Sequence, residues 1–236
     1  MSDMKRLFFC FVAGIFLPFF LAADFPREKA PIYKLRRSAE QGNSEAQLEL
    51  GHCYRKGEGV EKDLKESAEW YRKSAEQGNA SAQMWLGSCY HRGRGVEKDL
   101  GEAVKWYRKS AERGDAVAQL LLGQCYYLGE GVEKNLEEGV KWYRKSAEQG
   151  NASAQMRLGH SFLLGKGTVR NPEEAVKWFR RSAEQGNAGA QMWLGDCYYA
   201  GWGVKRNLDE AEKWFRKSAA QGFVPAQKML KRIRRR

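Results

Sequence analysis

The stretch Trp-Tyr-Arg-Lys-Ser-Ala-Glu-Gln-Gly at residues 70–78 decides the architecture, because near-copies of it return at a constant step. The tryptophans that open the copies are 36 residues apart, at Trp70, Trp106, Trp142, Trp178 and Trp214. A shorter copy without the tryptophan precedes them at residues 36–42. Self-similarity at a period of roughly 20–50 residues is typical of a stack of small units, each too small to bury its own apolar face. The spacing therefore predicts a repeat protein, and it favours an extended binding surface over a closed active site.

The first half of each copy predicts an amphipathic helix, which we call helix A and illustrate with the copy at residues 79–114. Asn79 can cap this helix through its side-chain oxygen. Apolar residues then recur every three or four positions, as expected of a helix with one buried face. Gly87 lies inside the helix, where the missing side chain allows a partner helix to approach closely. The glycines of residues 92–98 end it.

The second half of the copy predicts another helix, helix B, which begins at Asp99. Asp99 and Glu102 form a capping-box pattern. In it the Asp99 side chain accepts a hydrogen bond from a backbone amide of the helix, and the Glu102 side chain accepts one from the Asp99 amide. Gly114 follows the helix at the position that needs a left-handed conformation, and Asp115 can cap the next helix A. Such short connections force antiparallel neighbours. The predicted fold class is all-α, an α/α superhelical solenoid of five full 36-residue helix-turn-helix repeats with partial repeats at both ends.

We divide the chain accordingly. The segments are a signal peptide at 1–23, an N-terminal partial repeat or cap at 24–43, full repeats at 44–79, 80–115, 116–151, 152–187 and 188–222, and a basic C-terminal capping helix at 223–236.

The first segment has the layout of a secretory signal peptide. Lys5 and Arg6 precede an apolar run at residues 7–21, and Ala22-Ala23 ends the segment, so we expect cleavage after Ala23. The alternative is a retained N-terminal membrane anchor. The apolar run is shorter than the roughly 20 residues that span a bilayer, which favours cleavage. We therefore expect an exported protein, periplasmic or secreted.

Four short motifs of the second copy carry a family resemblance: Leu86-Gly87-x-x-Tyr90, Gly93-x-Gly95-Val96, Ala103-x-x-Trp106 and Ala111-Glu112-x-Gly114. They resemble the Sel-one-like repeat, a relative of the tetratricopeptide repeat, and the resemblance covers residues 31–236. It implies helix A on the concave side of a superhelix. It also implies an adaptor, since such bacterial proteins are often exported and act in host interaction, envelope regulation or complex assembly. Some cysteine-rich relatives have been assigned β-lactamase activity. By this analogy the alternative function is a β-lactamase-type hydrolase. Those relatives carry cysteine pairs within each repeat, whereas this chain has single cysteines, which disfavours the transfer.

The residues that could support catalysis or metal binding are dispersed. The cysteines Cys53, Cys89, Cys125 and Cys197 share one repeat position. Stacked helices lie roughly 8–10 Å apart, beyond the about 7 Å that a disulfide allows between Cα atoms, so we expect buried free thiols. The histidines His52, His91 and His160 have no i, i+4 partner, so we expect surface histidines, no metal and no cofactor. No catalytic residue is predicted, and the expected function is non-enzymatic.

The residues that differ between copies on helix A are the candidate partner site. They are Trp85, His91, Gln124, Tyr127, Leu128, His160, Leu163, Leu164, Asp196 and Tyr199. The face is basic in the first two copies and apolar in the next three. We place the sixth helix position, which holds Trp85, Leu121 and Trp193, nearer its edge. We expect an exposed apolar strip suited to a protein or peptide with apolar anchors and an acidic end. The alternative is that these side chains only cover neighbouring helices.

The C-terminal residues 228–236 contain six basic side chains and no acid, half of the formal net charge of +12. The candidate anion-binding residues are Lys231, Arg232, Arg234, Arg235 and Arg236. This run can be a polar cap that closes the stack, or it can attract an anionic envelope surface of lipid or polysaccharide. The body lacks a basic stripe with interleaved aromatics, so no nucleic-acid partner is predicted. We expect a monomer.

Overall fold

The computed structural model describes residues 30–233, so the predicted signal peptide and Arg234, Arg235 and Arg236 lie outside the described residues. Within that range the chain forms twelve α-helices and no strand, which confirms the predicted fold class. The helices are α1 Ala30–Glu40, α2 Ser44–Lys56, α3 Leu64–Glu76, α4 Ala80–Arg92, α5 Leu100–Glu112, α6 Ala116–Leu128, α7 Leu136–Glu148, α8 Ala152–Leu164, α9 Pro172–Glu184, α10 Ala188–Ala200, α11 Leu208–Ala220 and α12 Val224–Ile233.

The helices alternate between the two predicted types. The helices A are α2, α4, α6, α8 and α10, and each packs against the helix B that follows it and the helix B that precedes it. The first described helix, α1, is the helix B of the N-terminal partial copy. The last, α12, is a helix A that no described helix B follows.

Polar caps start the helices as the sequence predicts, with one correction. Asn79 accepts a hydrogen bond from the Ala82 amide at 3.0 Å, and Asp99 accepts one from the Glu102 amide at 2.9 Å. The predicted return bond from Glu102 is wrong. The Asp99 amide instead donates to the carbonyl of Tyr90, because the loop folds back on the end of helix A. The Glu102 carboxylate forms a surface ion pair with Lys105.

An aromatic ring from helix B fills the contact with helix A inside each copy. In the third copy Tyr143 is buried against Gly123. A Cβ atom at Gly123 would lie 2.8 Å from the Tyr143 ring, too close for any side chain. This close approach explains the glycine at the eighth position of the helices A, and it buries a large apolar area near the centre of each copy.

Side-chain hydrogen bonds join helix B of a copy to helix A of the same copy. Ser110 Oγ donates to the Ala80 carbonyl at 2.7 Å, thirty residues earlier, and equivalent serines do the same in the other copies. A second set joins glutamine amides, as Gln77 to Gln47, Gln149 to Gln119, Gln185 to Gln155 and Gln221 to Gln191, at 2.7–2.8 Å. We call this second set the glutamine ladder.

The described cysteines are free, as predicted. Cys89, Cys125 and Cys197 are buried and Cys53 is half-buried. Each fills apolar space at the same helix position. Among residues 30–233, no helix is both long enough and apolar enough to cross a membrane.

Candidate partner-binding surface

The variable residues predicted as a partner site lie at the sixth, ninth, twelfth and thirteenth positions of the helices A. We call this surface the helix-A face. Neighbouring copies contact each other across this face.

Trp85 lies in the seam between the first two copies rather than near the edge of the face. Its ring stacks on Tyr71 of α3 with 6.0 Å between ring centroids, and it meets the His52 ring edge-on at 5.2 Å. The Arg55 guanidinium covers it at 4.6 Å. The sixth position of one copy thus packs on the ninth and twelfth positions of the copy before it, which corrects the placement made from sequence.

The same cluster recurs three copies later around Trp193, which the predicted site omits. Trp193 stacks on Phe179 at 6.0 Å and meets His160 edge-on at 5.0 Å. In the seams between these clusters, Leu121 and the exposed Arg157 occupy the tryptophan position. Two aromatic clusters therefore bracket the middle of the helix-A face.

The histidines in these clusters are half-buried, not on the open surface as predicted. Burial against the tryptophans lowers the pKa of both His52 and His160, since the charged form loses solvation. The nearby cations Arg55 and Lys166 lower these pKa values further. His52 Nδ1 is also hydrogen-bonded to the Tyr71 hydroxyl at 2.7 Å, which fixes its ring.

Gln124 and Asp196 occupy the same ninth position in the third and fifth copies, and both are half-buried. Burial raises the pKa of Asp196 from 3.8 to about 6, because the ionised carboxylate is poorly solvated there. Tyr199, one turn further along α10, is half-buried too. Asp196 places an acidic group on a face whose other charges are mainly basic.

The apolar strip is present in part. Leu128 is 51% exposed and Leu164 is 45% exposed, as predicted for adjacent copies. Tyr127 is half-buried, with its ring tilted over Tyr143 at 5.9 Å. The prediction that Leu163 is exposed is wrong, because Leu163 is only 4% exposed and belongs to the apolar cluster around Phe179.

The basic end of the face is partly neutralised by neighbouring acids. Lys56 pairs with Glu58 at 3.2 Å. His91 contacts Glu130 of the next copy at 3.1 Å. Arg92 remains exposed beside them. The charge contrast along the face is therefore weaker than the sequence suggests, but its direction is unchanged.

Trp202 was missed by the sequence reasoning. It follows α10 in the loop, and 42% of it is exposed. The equivalent loop position holds a charged residue in every earlier copy, namely Glu58, Arg94, Glu130 and Lys166. The Trp202 amide donates to the Cys197 carbonyl, so this residue lies at the end of α10, a helix A.

Two of the predicted anion-binding residues are described. Lys231 and Arg232 are both exposed on α12. Lys231 occupies the eighth position of its helix A, where each of the five full copies has a glycine such as Gly123. A helix B ring could not pack there without displacing the lysine side chain.

The buried cysteines are poorly suited to act as nucleophiles. Burial raises the pKa of the Cys89 thiol to about 11 and those of Cys125 and Cys197 to about 12. Such thiols are protonated and unreactive at neutral pH. Among residues 30–233, no group of three or more His, Cys, Asp or Glu side chains could hold a metal ion.

Comparison with known proteins identifies the repeat. The Sel1 repeat profile matches five consecutive segments, at residues 44–79, 80–115, 116–151, 152–187 and 188–223. No functionally curated protein matches the chain.

Two solved structures share both fold and sequence with this protein. One is c5321, a protective antigen present in uropathogenic Escherichia coli strains, with 40% identity and a TM-score of 0.79. The match covers 83% of this chain and 42% of the antigen, so this protein spans less than half of the antigen's length. The other is a Sel1 repeat protein from Oxalobacter formigenes, with 38% identity, a TM-score of 0.77, and coverage of 85% of this chain and 84% of that one.

Sel1 repeat proteins generally mediate protein–protein interactions and are typically non-catalytic repeat scaffolds. Five matched copies over most of the sequence, together with these two structures, show that this chain belongs to the Sel1 repeat family.

Proposed function

We propose that this protein is an exported, non-catalytic scaffold that binds a protein or peptide partner along the helix-A face, on the concave side of the solenoid. The observation that carries the proposal is the exposure of Leu128 and Leu164 in adjacent copies. The stack does not need leucine there, since Lys56 and Arg92 hold the same position in the first two copies. Neighbouring exposed apolar side chains on a monomer surface often mark a binding site.

The partner's chemistry follows from the order of side chains along the face. The exposed cation Arg92 lies toward the N-terminal copies, while Leu128, Leu164 and Trp202 lie toward the C-terminal copies. A helix or extended segment with apolar anchors and an acidic end fits this order. The export part of the proposal is supported by the sequence of residues 1–23, and a mature chain that begins at Asp24 would bear it out.

The test is a pair of substitutions in the exposed leucines. The partner is first captured from the host with the mature chain. In a calorimetric titration, the double variant Leu128→Ser with Leu164→Ser should bind this partner at least tenfold more weakly, a loss of about 1.4 kcal/mol. Thermal unfolding should barely change, because both side chains are exposed. Leu163→Ser is the matched control, and it should lower stability because Leu163 is buried. A double variant that folds and binds normally would place the partner elsewhere.

A second candidate activity is attachment to an anionic envelope surface through α12. The exposure of Lys231 and Arg232 favours it. Each basic residue near an anionic lipid surface contributes on the order of 1 kcal/mol. Lys231→Gln with Arg232→Gln should therefore reduce co-sedimentation with phosphatidylglycerol vesicles at low salt. Equal co-sedimentation of the variant would reject this role for these two residues.

A further inference from the structure

A groove lies between α7 and the loop that follows α8. Its volume is about 530 Å³. The lining residues are Glu137, Val140, Lys141, Arg144, Gly165, Gly167, Thr168 and Val169. None of them belongs to the helix-A face, so the groove needs its own explanation.

Arg144 differs from the equivalent arginines of the other copies. Elsewhere the arginine donates to a tyrosine hydroxyl of the next helix A at 2.5–3.0 Å, in the pairs Arg36–Tyr54, Arg72–Tyr90, Arg108–Tyr126 and Arg180–Tyr198. In the fourth copy Phe162 replaces the tyrosine. The Arg144 guanidinium lies 5.3 Å from the Phe162 ring centroid and has no hydrogen bond or ion pair within residues 30–233. It is more exposed than its four counterparts, and it lines the groove.

The loop beside Arg144 changes in the same copy. Thr168 stands where the other four full copies carry valine, so a hydroxyl lines the groove. Val169 stands where the others carry a charged residue, and it is 85% exposed. An exposed valine beside an unbonded arginine adds nothing to the packing of the stack. Both changes alter the groove's surface and leave the helices in place.

We propose that this groove is a second binding site, for a protein segment that presents a carboxylate next to an apolar side chain. The carboxylate accepts paired hydrogen bonds from the Arg144 guanidinium, with Lys141 close by. The apolar side chain packs on Val169. Glu137 lies in the same groove and disfavours a more highly charged anion such as a phosphate group. Two cations and one acid suit a single carboxylate.

The test uses the full mature chain, labelled with nitrogen-15, and a capped hexapeptide that alternates leucine and glutamate. Titration should shift the amide signals of Gly167, Thr168 and Val169 in a saturable manner. The same peptide with glutamine in place of glutamate should bind at least tenfold more weakly. The absence of saturable shifts at this loop, or equal shifts at the equivalent loops, would overturn the proposal.

Two variants separate the site from a general charge effect. Phe162→Tyr should restore the missing hydroxyl partner, hold the guanidinium in the seam and weaken peptide binding about tenfold, a change of about 1.4 kcal/mol. It should fold normally, because the other copies carry tyrosine there. Arg144→Gln should also bind the peptide about tenfold more weakly, whereas the matched variant Arg108→Gln should bind it with wild-type affinity. Wild-type affinity in the Phe162→Tyr variant would refute the role of Arg144. The Leu128→Ser with Leu164→Ser variant should bind this peptide normally, so the two proposals can fail separately.

Discussion

Asp196 shows how a single residue on the helix-A face can oppose folding. Asp196 is half-buried, and burial raises the pKa of its carboxyl group to about 6. The folded state therefore binds a proton more tightly than the unfolded state, in which the pKa is near 3.8. Between these values the folded state holds more protons, so stability falls as pH rises through this window. Such a costly acid is expected where a partner's cation can compensate for the lost solvation.

Asp196→Asn should therefore raise the urea midpoint at pH 7.5, where the wild type carries the poorly solvated charge. The gain should shrink at pH 4.5, where the folded wild type is largely protonated and its stability is retained. Urea unfolding at both pH values measures the difference. Glu133→Gln, in an exposed loop, is the control and should show no such pH dependence. An equal gain at the two pH values would mean that ionisation of Asp196 is not the cause.

Each helix start depends on a cap formed by residues that are close in sequence. The Asp99 side chain accepts a hydrogen bond from the Glu102 amide, and the Asp99 amide donates one to the Tyr90 carbonyl. The aspartate side chain therefore stabilises the start of α5. The Glu102 side chain, paired with Lys105 on the surface, adds little.

Asp99→Ala should lower the free energy of unfolding by about 0.5–2 kcal/mol, the range for a lost N-cap. Glu102→Ala should leave the guanidinium midpoint almost unchanged. Chemical unfolding of the two variants at equal protein concentration distinguishes them. A comparable loss in both would show that a two-way capping box operates after all.

The whole stack depends on repeated junctions between helix A and helix B of each copy, and one of these junctions lacks a hydrogen bond. The glutamine ladder is interrupted at Arg113, which stands where the other copies have a donating glutamine. The Oε1 atom of Gln83, the acceptor that this donor would reach, is buried without a hydrogen-bond partner. A buried acceptor left unsatisfied costs about 1–3 kcal/mol. The junction between α4 and α5, the two helices of the second copy, should therefore be weaker than the equivalent junctions of the other copies.

Arg113→Gln should complete the ladder and raise the free energy of unfolding by about 1 kcal/mol. Gln149→Arg is the reverse variant, and it should lower stability by leaving Gln119 without its donor. Because the stability of a repeat array is a sum of nearest-neighbour terms, completing the weak junction should also sharpen the unfolding transition. Differential scanning calorimetry tests both effects. Shifts of the same sign in the two variants would contradict this account.

The period, the helix types and the caps could be predicted from sequence because they depend on local contacts. Asn79 caps α4 through an amide three residues away, and the step of 36 residues predicts stacking without any knowledge of the packing angle. The free state of the cysteines followed from helix spacing alone. Leu128 and Leu164 were also predicted correctly as exposed, since charged residues occupy their position in other copies.

The tertiary structure alone decided what neighbouring copies do to each other's side chains. Leu163 and Leu164 are adjacent and chemically identical, yet one is buried and the other exposed, because only Leu163 faces the seam around Phe179. His52 is half-buried because Trp85, from the next copy, covers it. The unbonded state of Arg144 depends on a phenylalanine 18 residues away in another helix. Helical periodicity places a residue on a face, but burial there is set by contacts between copies, whose distances and angles arise only when the helices pack.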